Sequence, residues 1–276
     1  MTRLVKNRIA LAGLIIISLY VVIIVVSFFW LPFDPMEMNP ELMLQKPSLS
    51  SGHIFGTDEF GRDILSRVMK GSAVSLMISI LATLLGATFG ILMGIWAGFL
   101  GGRWDNVIMR IADILFSFPS LLLAIFIMAI LGENNANIII AIGIVYIPQF
   151  ARISRGAIIA LKSNEFVRAA RSNGAGSSYI LFNHLLPNSI APIIVQISLS
   201  LSVAILLESA LSFLGLGIQP PEPSWGNMLS SARKVMMLAP WTAIYPGLAI
   251  VTLVLGFNLL GDGLRDILDP RLRNVR

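Results

Sequence analysis

The chain has 276 residues, of which 56% are hydrophobic and 13% are charged, and its mean hydropathy is +0.82. A soluble domain is typically about 45–50% apolar and about 25% charged, so this composition excludes an ordinary soluble enzyme and favours an integral membrane protein. Cysteine is absent, which excludes disulfides and thiolate metal sites. The net charge of +5 is modest, and no basic cluster forms a face suited to nucleic acid, so we expect no nucleic-acid partner.

Six apolar runs are long enough to cross a bilayer, whose hydrocarbon core requires roughly 20 residues of helix. They cover residues 9–30, 72–100, 111–131, 138 to about 157, about 190 to 207, and 241–260. The first run follows a basic segment, but it is too long for the apolar core of a signal peptide and no small-residue cleavage site follows it, so we expect a retained helix. The sequence therefore predicts an all-α integral membrane fold with six transmembrane helices in a lipid bilayer.

The distribution of charge predicts the orientation of these helices. With a cytoplasmic N-terminus, 14 of the 20 Lys and Arg residues and 6 of the 15 acidic residues fall inside, so the inner side has a net charge of +8 and the outer side −3. Because an excess of Lys and Arg in cytoplasmic loops orients membrane helices, we expect both termini in the cytoplasm. We expect three parts: a helix with an external segment (residues 1–71, with a helix–loop boundary near Gly71), a five-helix domain (residues 72–262) and a cytoplasmic tail (residues 263–276).

The second run contains a glycine at every fourth position, at Gly86, Gly90, Gly94 and Gly98. Residues four apart lie on one stripe of a helix, and small residues in a stripe let a second helix approach closely. We therefore predict that this stripe is a helix–helix contact rather than a pore lining.

The inner segment between the fourth and fifth runs predicts a short helix. Asn164 can cap its start, Glu165 suits its first turn, and Gly174 can end it. The helix has a narrow apolar face of Phe166, Val167 and Ala170, with Arg168 and Arg171 on a more polar side. From these residues alone, the helix either lies on lipid headgroups or docks into a groove of a partner protein.

The same segment resembles the EAA loop of ATP-binding-cassette importer permeases. That loop has a Glu-Ala-Ala core, a glycine after three further residues and a distal His-x-Leu-Pro-Asn, and this chain has Arg168-Ala169-Ala170, Gly174 and His184-Leu-Leu-Pro187-Asn188. Arg168 stands where the loop has its glutamate. The resemblance implies a cytoplasmic coupling helix over about residues 164–174 that contacts a nucleotide-binding ATPase subunit. The implied contact residues are Asn164, Glu165, Phe166, Arg168, Ala169, Ala170, Arg171 and Gly174.

The distal motif is expected to brace this loop against the fifth membrane helix. We expect His184 to form a hydrogen-bonding brace rather than to act as a catalyst, Pro187 to start the helix, and Asn188 to belong to the same brace. The other histidine, His53, lies on the opposite side of the membrane in the predicted topology, so the two cannot form a dyad.

A second signature lies in the predicted external segment before the second run. It consists of His53-Ile-Phe-Gly56-Thr-Asp58-Glu-Phe-Gly61-Arg62-Asp63. It resembles the HxxGTDxxGRD signature of the dipeptide, oligopeptide and nickel group of these importers.

The residues of this signature also support expectations of their own. We expect Asp58 to cap a helix that enters the second run, with the acid-first pairs Asp58–Arg62 and Asp63–Arg67 each contributing about 0.2–0.5 kcal/mol. This arrangement would fix the entry angle of the second helix, and the alternative is contact with substrate or a binding protein. We expect His53 to be polar surface and the chain to have no metal site, since a lone histidine does not make up a ligand set.

A third signature, Glu208-Ser-Ala-Leu-Ser-Phe-Leu-Gly-Leu-Gly217 followed by Pro220-Pro-Glu-Pro-Ser-Trp-Gly226, resembles the same group. Carboxylates in membrane segments are costly and often line water-filled paths. Glu208 therefore either lines a translocation pathway or lies at the level of the outer headgroups.

The sequence lacks the phosphate loop G-x-x-x-x-G-K-[ST] as well as H-E-x-x-H and G-x-S-x-G, so we expect no catalytic residue and no cofactor bound by this chain. The resemblance covers nearly the whole chain and implies the C-type permease subunit of a type I importer for dipeptides or oligopeptides. It implies a homologous second permease, two ATPase subunits that bind ATP and Mg, and an external substrate-binding protein as partners. The alternatives are a nickel or glutathione permease of the same group, an ion-coupled secondary transporter and a membrane scaffold.

Overall fold

The computed structural model describes residues 7–268, and within them the chain is helical without a β-strand. The helices of this part are α1 (Arg8–Phe29), α2 (Ile64–Leu100), α3 (Gly102–Phe116), α4 (Ser120–Leu131), α5 (Asn135–Lys162), α6 (Glu165–Ser172), α7 (Ser177–Phe213), α8 (Trp225–Ala232) and α9 (Trp241–Leu268). A short 3₁₀ turn, Pro40–Leu42, lies between α1 and α2. The basic residues before Asn7, and the part of the predicted tail beyond Leu268, lie outside the described residues.

These helices supply five or six membrane spans. Helices α1, α2, α5, α7 and α9 are each long and apolar enough to cross a bilayer. Helices α3 and α4 reach that standard only as a pair, and a 90° bend separates them. The prediction of an all-α membrane fold is confirmed, and only the bent segment that contains α3 and α4 can supply the predicted sixth span.

The third apolar run, residues 111–131, is not one helix, so the prediction of a single span there is wrong. The helical structure is interrupted at Phe118 and Pro119, between α3 and α4. Proline lacks an N–H, and its ring disfavours helical backbone at the preceding residue. Because Phe118 is itself apolar, hydropathy does not reveal this break. Helix α4 has 12 residues, which is about 18 Å of helix and too short alone for a core about 30 Å thick.

Other spans are longer than the apolar runs predict. Helix α2 begins at Ile64 because the Asp63 carboxylate caps it, accepting a hydrogen bond from the Ser66 N–H at 2.7 Å. The helix–loop boundary expected near Gly71 therefore lies inside a continuous helix. Helix α7 begins at Ser177, before the apolar run that starts at about residue 190, and α9 continues from the end of its run at residue 260 to Leu268. Polar residues at these ends lower the hydropathy without interrupting the helical hydrogen bonds.

The glycine stripe of α2 packs against α5, as predicted. A Cβ atom at Gly90 would lie 2.5 Å from the Ile147 carbonyl oxygen and 2.6 Å from the Cβ of Phe150. The stripe is buried along its whole length, at Gly86, Gly90, Gly94 and Gly98. The small residues therefore allow the backbones of α2 and α5 to approach closely in the centre of the fold.

Helix α1 lies against α9 at the side of this bundle. A Cβ atom at Gly13 would lie 2.6 Å from the Gly256 carbonyl oxygen, and the Tyr20 hydroxyl donates to the Ala249 carbonyl at 3.0 Å. Large apolar side chains on the rest of α1, such as Val22, are exposed. In a bilayer this exposed side contacts lipid.

The two ends of the bundle carry different groups of residues. At one end, which we name the α6 end, the Lys162 ammonium donates to the Phe99 carbonyl at 2.8 Å and joins the ends of α5 and α2. At the opposite end, which we name the α8 end, the Trp241 indole N–H donates to the Thr57 carbonyl at 3.2 Å. The predicted coupling segment lies at the α6 end, and the other two signatures lie at or near the α8 end.

Candidate functional site

One fully buried side chain attaches α6 to the bundle. Val167 is 1% exposed and packs with Ile95, Ile158, Ile180 and Leu185. These partners belong to α2, α5 and α7. The short helix at this end therefore rests on three long helices through one small apolar cluster.

The start of α6 differs in part from the prediction. Asn164 occupies the N-cap position, but its side chain makes no capping hydrogen bond. Its carbonyl instead accepts a hydrogen bond from the Val167 N–H at 3.1 Å. Glu165 lies in the first turn, where a carboxylate is favourable beside the unpaired N–H groups of the helix.

The end of α6 follows the prediction. Gly174 has a φ of +80°, a left-handed conformation that glycine adopts without strain. The N–H of Ala175 donates to the Ala170 carbonyl at 3.1 Å. Such a bond across a left-handed residue is typical of the Schellman end of a helix, so the prediction that Gly174 ends the helix is confirmed.

The face of α6 opposite Val167 is exposed. Helical spacing places Glu165 and Ala169 on this face, with Arg168 at its edge. The Arg168 and Glu165 side chains are 72% and 95% exposed, and their nearest charged atoms are 3.9 Å apart. An ion pair so exposed contributes about 0–1 kcal/mol, so both charges remain available to a partner. Arg171 is also exposed.

An aromatic group borders this face. The His184 ring lies near the rings of Phe166 and Tyr179, with centroid distances of 6.2 and 5.6 Å. Phe166, Tyr179 and Phe182 are exposed. Aromatic residues and arginine are the types in which protein interfaces are enriched. The sequence did not reveal this group, because it depends on how α7 folds back against α6.

The distal motif lies inside α7 rather than at its start. His184 belongs to a π-helical segment, Leu181–Leu185, and Pro187 follows shortly after it. Pro187 is the second residue of the α-helical part of α7, Leu186–Phe213, where a missing N–H costs nothing. The prediction that it starts the helix is confirmed for this part, although the continuous helix begins at Ser177. The Asn188 amide donates to the His184 carbonyl at 2.7 Å. His184 contacts α6 through its ring, and its role as a brace stays a prediction.

At the α8 end, His53 is buried, so the expectation that it forms part of a polar surface is wrong. It is 5% exposed, its Nδ1 lies 2.9 Å from the Asp63 carboxylate, and its ring stacks on Phe33 at a centroid distance of 4.2 Å. The sequence could not show this, because Phe33 is distant along the chain. Within residues 7–268, no group of three or more His, Asp or Glu residues is placed to hold a metal ion.

The two aspartates of this signature have roles other than those predicted. Asp63 caps α2, whereas Asp58 stabilises a turn by accepting a hydrogen bond from the Arg62 N–H at 3.0 Å. The Asp58–Arg62 ion pair is confirmed at 2.7 Å. Arg67 lies 3.6 Å from Asp58 and does not pair with Asp63, because the two oxygens of Asp63 already bind His53 and the backbone.

Two glycines allow the external segment to fold this tightly. Gly56 and Gly61 have φ angles of +75° and +74°. A Cβ atom at Gly56 would lie 2.5 Å from the Gln45 carbonyl oxygen, and one at Gly61 would collide with the Asn39 carbonyl. The contacts of the signature are with its own chain, which favours the interpretation that it fixes the start of α2.

Replacing Asp63 with alanine is expected to lower the free energy of unfolding by about 2–4 kcal/mol. The change removes a helix cap, which contributes about 0.5–2 kcal/mol, and leaves the buried His53 without its partner, which costs about 1–3 kcal/mol. Thermal unfolding of the purified protein in detergent measures the effect. Glu37→Ala is the matched control, because Glu37 is exposed, and equal melting temperatures for the two variants would refute the capping role.

Glu208 lies in α7 and is fully buried. The Ser212 hydroxyl donates to its carboxylate at 2.8 Å and accepts a hydrogen bond from the Ile218 N–H at 3.2 Å. The carboxylate is thereby connected to the turn after α7, and no ion pair of residues 7–268 includes it. Glu208 is therefore enclosed by the protein itself, and both its depth in the membrane and its role in a pathway stay predictions.

Comparison with known proteins decides the family. Residues 90–274 match the family described as "Binding-protein-dependent transport system inner membrane component", and residues 1–47 match "N-terminal TM domain of oligopeptide transport permease C". The chain belongs to the binding-protein-dependent transport permeases. The first match includes α6 and the distal motif, and residues 53–63 of the external signature lie between the two matched ranges.

Curated relatives cover almost the whole permease. It is 47% identical over 270 residues to the dipeptide transport system permease protein DppC of Alkalihalophilus pseudofirmus, and this alignment covers 98% of this chain and 88% of that protein. It is 43% identical over 277 residues to the glutathione transport system permease protein GsiD of Pectobacterium atrosepticum (99% and 90%). It is 44% identical over 269 residues to GsiD of Escherichia coli (97% and 88%). The resemblance to C-type permeases of ATP-binding-cassette importers is confirmed.

Proposed function

We propose that this permease moves dipeptides or oligopeptides into the cytoplasm as the C-type subunit of a type I ATP-binding-cassette importer. The observation that carries the proposal is α6. It is a short, exposed helix in a segment with the EAA-like spacing, and Val167 anchors it on three membrane helices. A partner that displaces α6 would therefore displace α2, α5 and α7 together.

Short peptides are the proposed substrates because of the relatives. One relative is named for dipeptide transport and two for glutathione transport, and glutathione is itself a tripeptide. Glutathione is accordingly the second candidate, at an identity only slightly lower than that of the dipeptide relative. No observation on this chain favours nickel.

The proposed assembly places the α6 end in the cytoplasm of the cell membrane. This end carries exposed arginines, including Arg168 and Arg171, as cytoplasmic loops do. Two ATPase subunits, which bind ATP and Mg, would contact α6 and its counterpart on a homologous second permease. A substrate-binding protein would deliver the peptide to the α8 end. In this assembly the chain binds no cofactor and catalyses no reaction itself.

The proposed mechanism is alternating access. Closure of the ATPase subunits moves α6, and the three helices that share the apolar cluster of Val167 follow it, so the path opens to the outside. ATP hydrolysis and release of phosphate reverse the movement. The ATPase subunits can shift this equilibrium only if they interact differently with the two states of the permease.

Replacing Ala169 with tryptophan is expected to abolish transport and to reduce stimulation of the ATPase by at least tenfold. Ala169 is exposed and lies opposite Val167, so a large side chain there obstructs a docked partner without disturbing the fold of this chain. Peptide uptake and ATP hydrolysis by the reconstituted importer measure the two effects. The loss corresponds to about 1.4 kcal/mol or more of docking free energy.

Ala136→Trp is the matched control for this experiment. Ala136 is also an exposed helical alanine, but it lies at the start of α5 at the opposite end of the bundle. Transport and ATPase stimulation by Ala169→Trp at the level of the control would show that α6 is not the ATPase contact.

Co-purification separates the proposal from the two other classes of function. An importer subunit is expected to bring an ATPase down in stoichiometric amount, whereas an ion-coupled transporter or a membrane scaffold is not. A secondary transporter would also require coupling-ion sites near the middle of the membrane. Within helices α1, α2, α5 and α7, Glu208 is the only acidic residue, so these four helices do not offer the paired intramembrane carboxylates that such a role would use.

A further inference from the structure

Helix α3 presents a polar side to the protein and an apolar side to its surroundings. The polar side carries Asp105 and Asp113, which pair with Arg155 and Arg152 of α5. Arg155 Nε lies 2.5 Å from Asp105, and Arg152 Nη2 lies 2.7 Å from Asp113. Ala112 is the one fully buried residue of α3. The helix is therefore bound to α5 mainly by ion pairs rather than by an apolar core.

The apolar side of α3 is a continuous exposed stripe. It consists of Trp104, Val107, Ile111 and Ile114, which are 65%, 53%, 50% and 63% exposed. The spacings of three, four and three residues place them along one side of the helix. This side points away from Ala112, so nothing in the described part of the chain covers it.

Helix α3 lies at an angle to the membrane spans, at the α6 end of the bundle. Helix α3 follows directly after the end of α2 at the α6 end and makes a 90° angle with α4. Because α4 runs toward the start of α5, in the direction of the membrane spans, α3 lies across that direction. Its 15 residues extend about 22 Å across the direction of the spans, so the crossing itself is made by α4 together with the residues that flank it.

Two arginines lie beside the stripe without a carboxylate partner. Arg103 and Arg110 are exposed and seven residues apart, so they lie on the same flank of α3. Neither belongs to an ion pair of the described residues, in contrast to the nearby Arg152 and Arg155. A guanidinium binds a phosphate oxygen pair through two parallel hydrogen bonds, so both arginines are suited to bind the phosphate groups of lipids.

We propose that α3 is an interfacial helix that binds anionic phospholipid. The stripe from Trp104 to Ile114 enters the acyl region, and Arg103 and Arg110 bind headgroup phosphates of the leaflet at the α6 end. An amphipathic helix with a basic flank and a tryptophan has the composition of such membrane-surface helices. The ion pairs of Asp105 and Asp113 connect this lipid-bound helix to α5.

Quenching by brominated lipids tests the proposal on the full chain in vesicles. The signal of Trp104 is the difference in fluorescence between the wild type and Trp104→Phe. We expect brominated phosphatidylglycerol to quench this signal at a several-fold lower mole fraction than brominated phosphatidylcholine. The double variant Arg103→Gln/Arg110→Gln is expected to abolish this preference, because each arginine contributes a factor of up to about five to the affinity for anionic lipid.

The control variant is Arg233→Gln/Lys234→Gln, which removes two exposed charges at the opposite end of the bundle and is expected to leave the preference unchanged. Melting temperatures verify that both double variants are folded. Equal quenching of wild-type Trp104 by the two lipids would overturn the proposal. It would also be overturned if neither lipid quenched Trp104 in the assembled complex, because the stripe would then be covered by protein. The measurement does not involve substrate or ATP, so its outcome is separate from that of the proposed transport function.

Discussion

Replacing Gly90 with leucine is expected to separate α2 from α5 and to lower the free energy of unfolding by about 3 kcal/mol or more. The new Cβ atom would meet the Ile147 carbonyl oxygen at 2.5 Å and the Phe150 Cβ at 2.6 Å. These atoms belong to the backbone and to the first side-chain position, so they cannot rotate away. Thermal unfolding in detergent and the amount of protein recovered from membranes measure the effect.

Gly156→Leu provides the control for this substitution. Gly156 is also a helical glycine, in α5 rather than α2, but a Cβ atom there would meet nothing within 4 Å. Any general cost of leucine at a helical glycine is therefore present in both variants. If both variants unfold at the temperature of the wild type, α2 and α5 do not pack as closely as the structure shows.

The glycine stripe illustrates what the sequence predicts well. Its period matches that of the helix, so its residues lie together whatever the partner is. The identity of the partner, α5, is not contained in that period, and it emerges only from the packing of Gly86 against Gly143 and Tyr146. The same holds for the membrane spans, since hydropathy locates their apolar centres but not their ends.

Helix ends were missed where a local interaction outweighs hydropathy. Asp63 starts α2 well before its apolar run, and Pro119 divides an apolar run that looks continuous. The error at Asp58 has a related cause. Residues four apart can form an ion pair in a helix, which is why the sequence predicts a helix at Asp58. Asp58 and Arg62 do form the pair, but they lie in a turn before α2 rather than in a helix.

The candidate coupling surface was predictable only in part. The sequence located α6 and its glycine end, because both depend on neighbouring residues. The contact between Phe166 and the ring of His184 joins separate helices, and no local pattern predicts it. Burial of His53 against Phe33 is a second such case. The effect of Arg168, which stands where the EAA loop has glutamate, depends on the surface of the partner and is not predictable from this chain.

Substitution of Glu208 is expected to reduce stability about as strongly as substitution of Gly90. Replacing Glu208 with lysine is expected to lower the free energy of unfolding by about 3–5 kcal/mol, the cost of leaving a buried charge uncompensated. A lysine cannot accept the hydrogen bond of the Ser212 hydroxyl, and Ser212 also binds the Ile218 N–H. The turn after α7 would lose its connection to the buried carboxylate. Yield from membranes and the melting temperature measure the loss.

Glu208→Gln distinguishes a structural role from a role in transport. Glutamine has nearly the same shape and keeps an oxygen that accepts from Ser212, so we expect a loss of stability of less than about 1 kcal/mol. If Glu208 only connects α7 to the following turn, peptide uptake by this variant is expected to match the wild type. Reduced uptake at unchanged stability would instead require the carboxylate to act in the translocation pathway. An equal loss of stability for glutamine and lysine would refute the hydrogen-bonded connection, because only the lysine removes the acceptor.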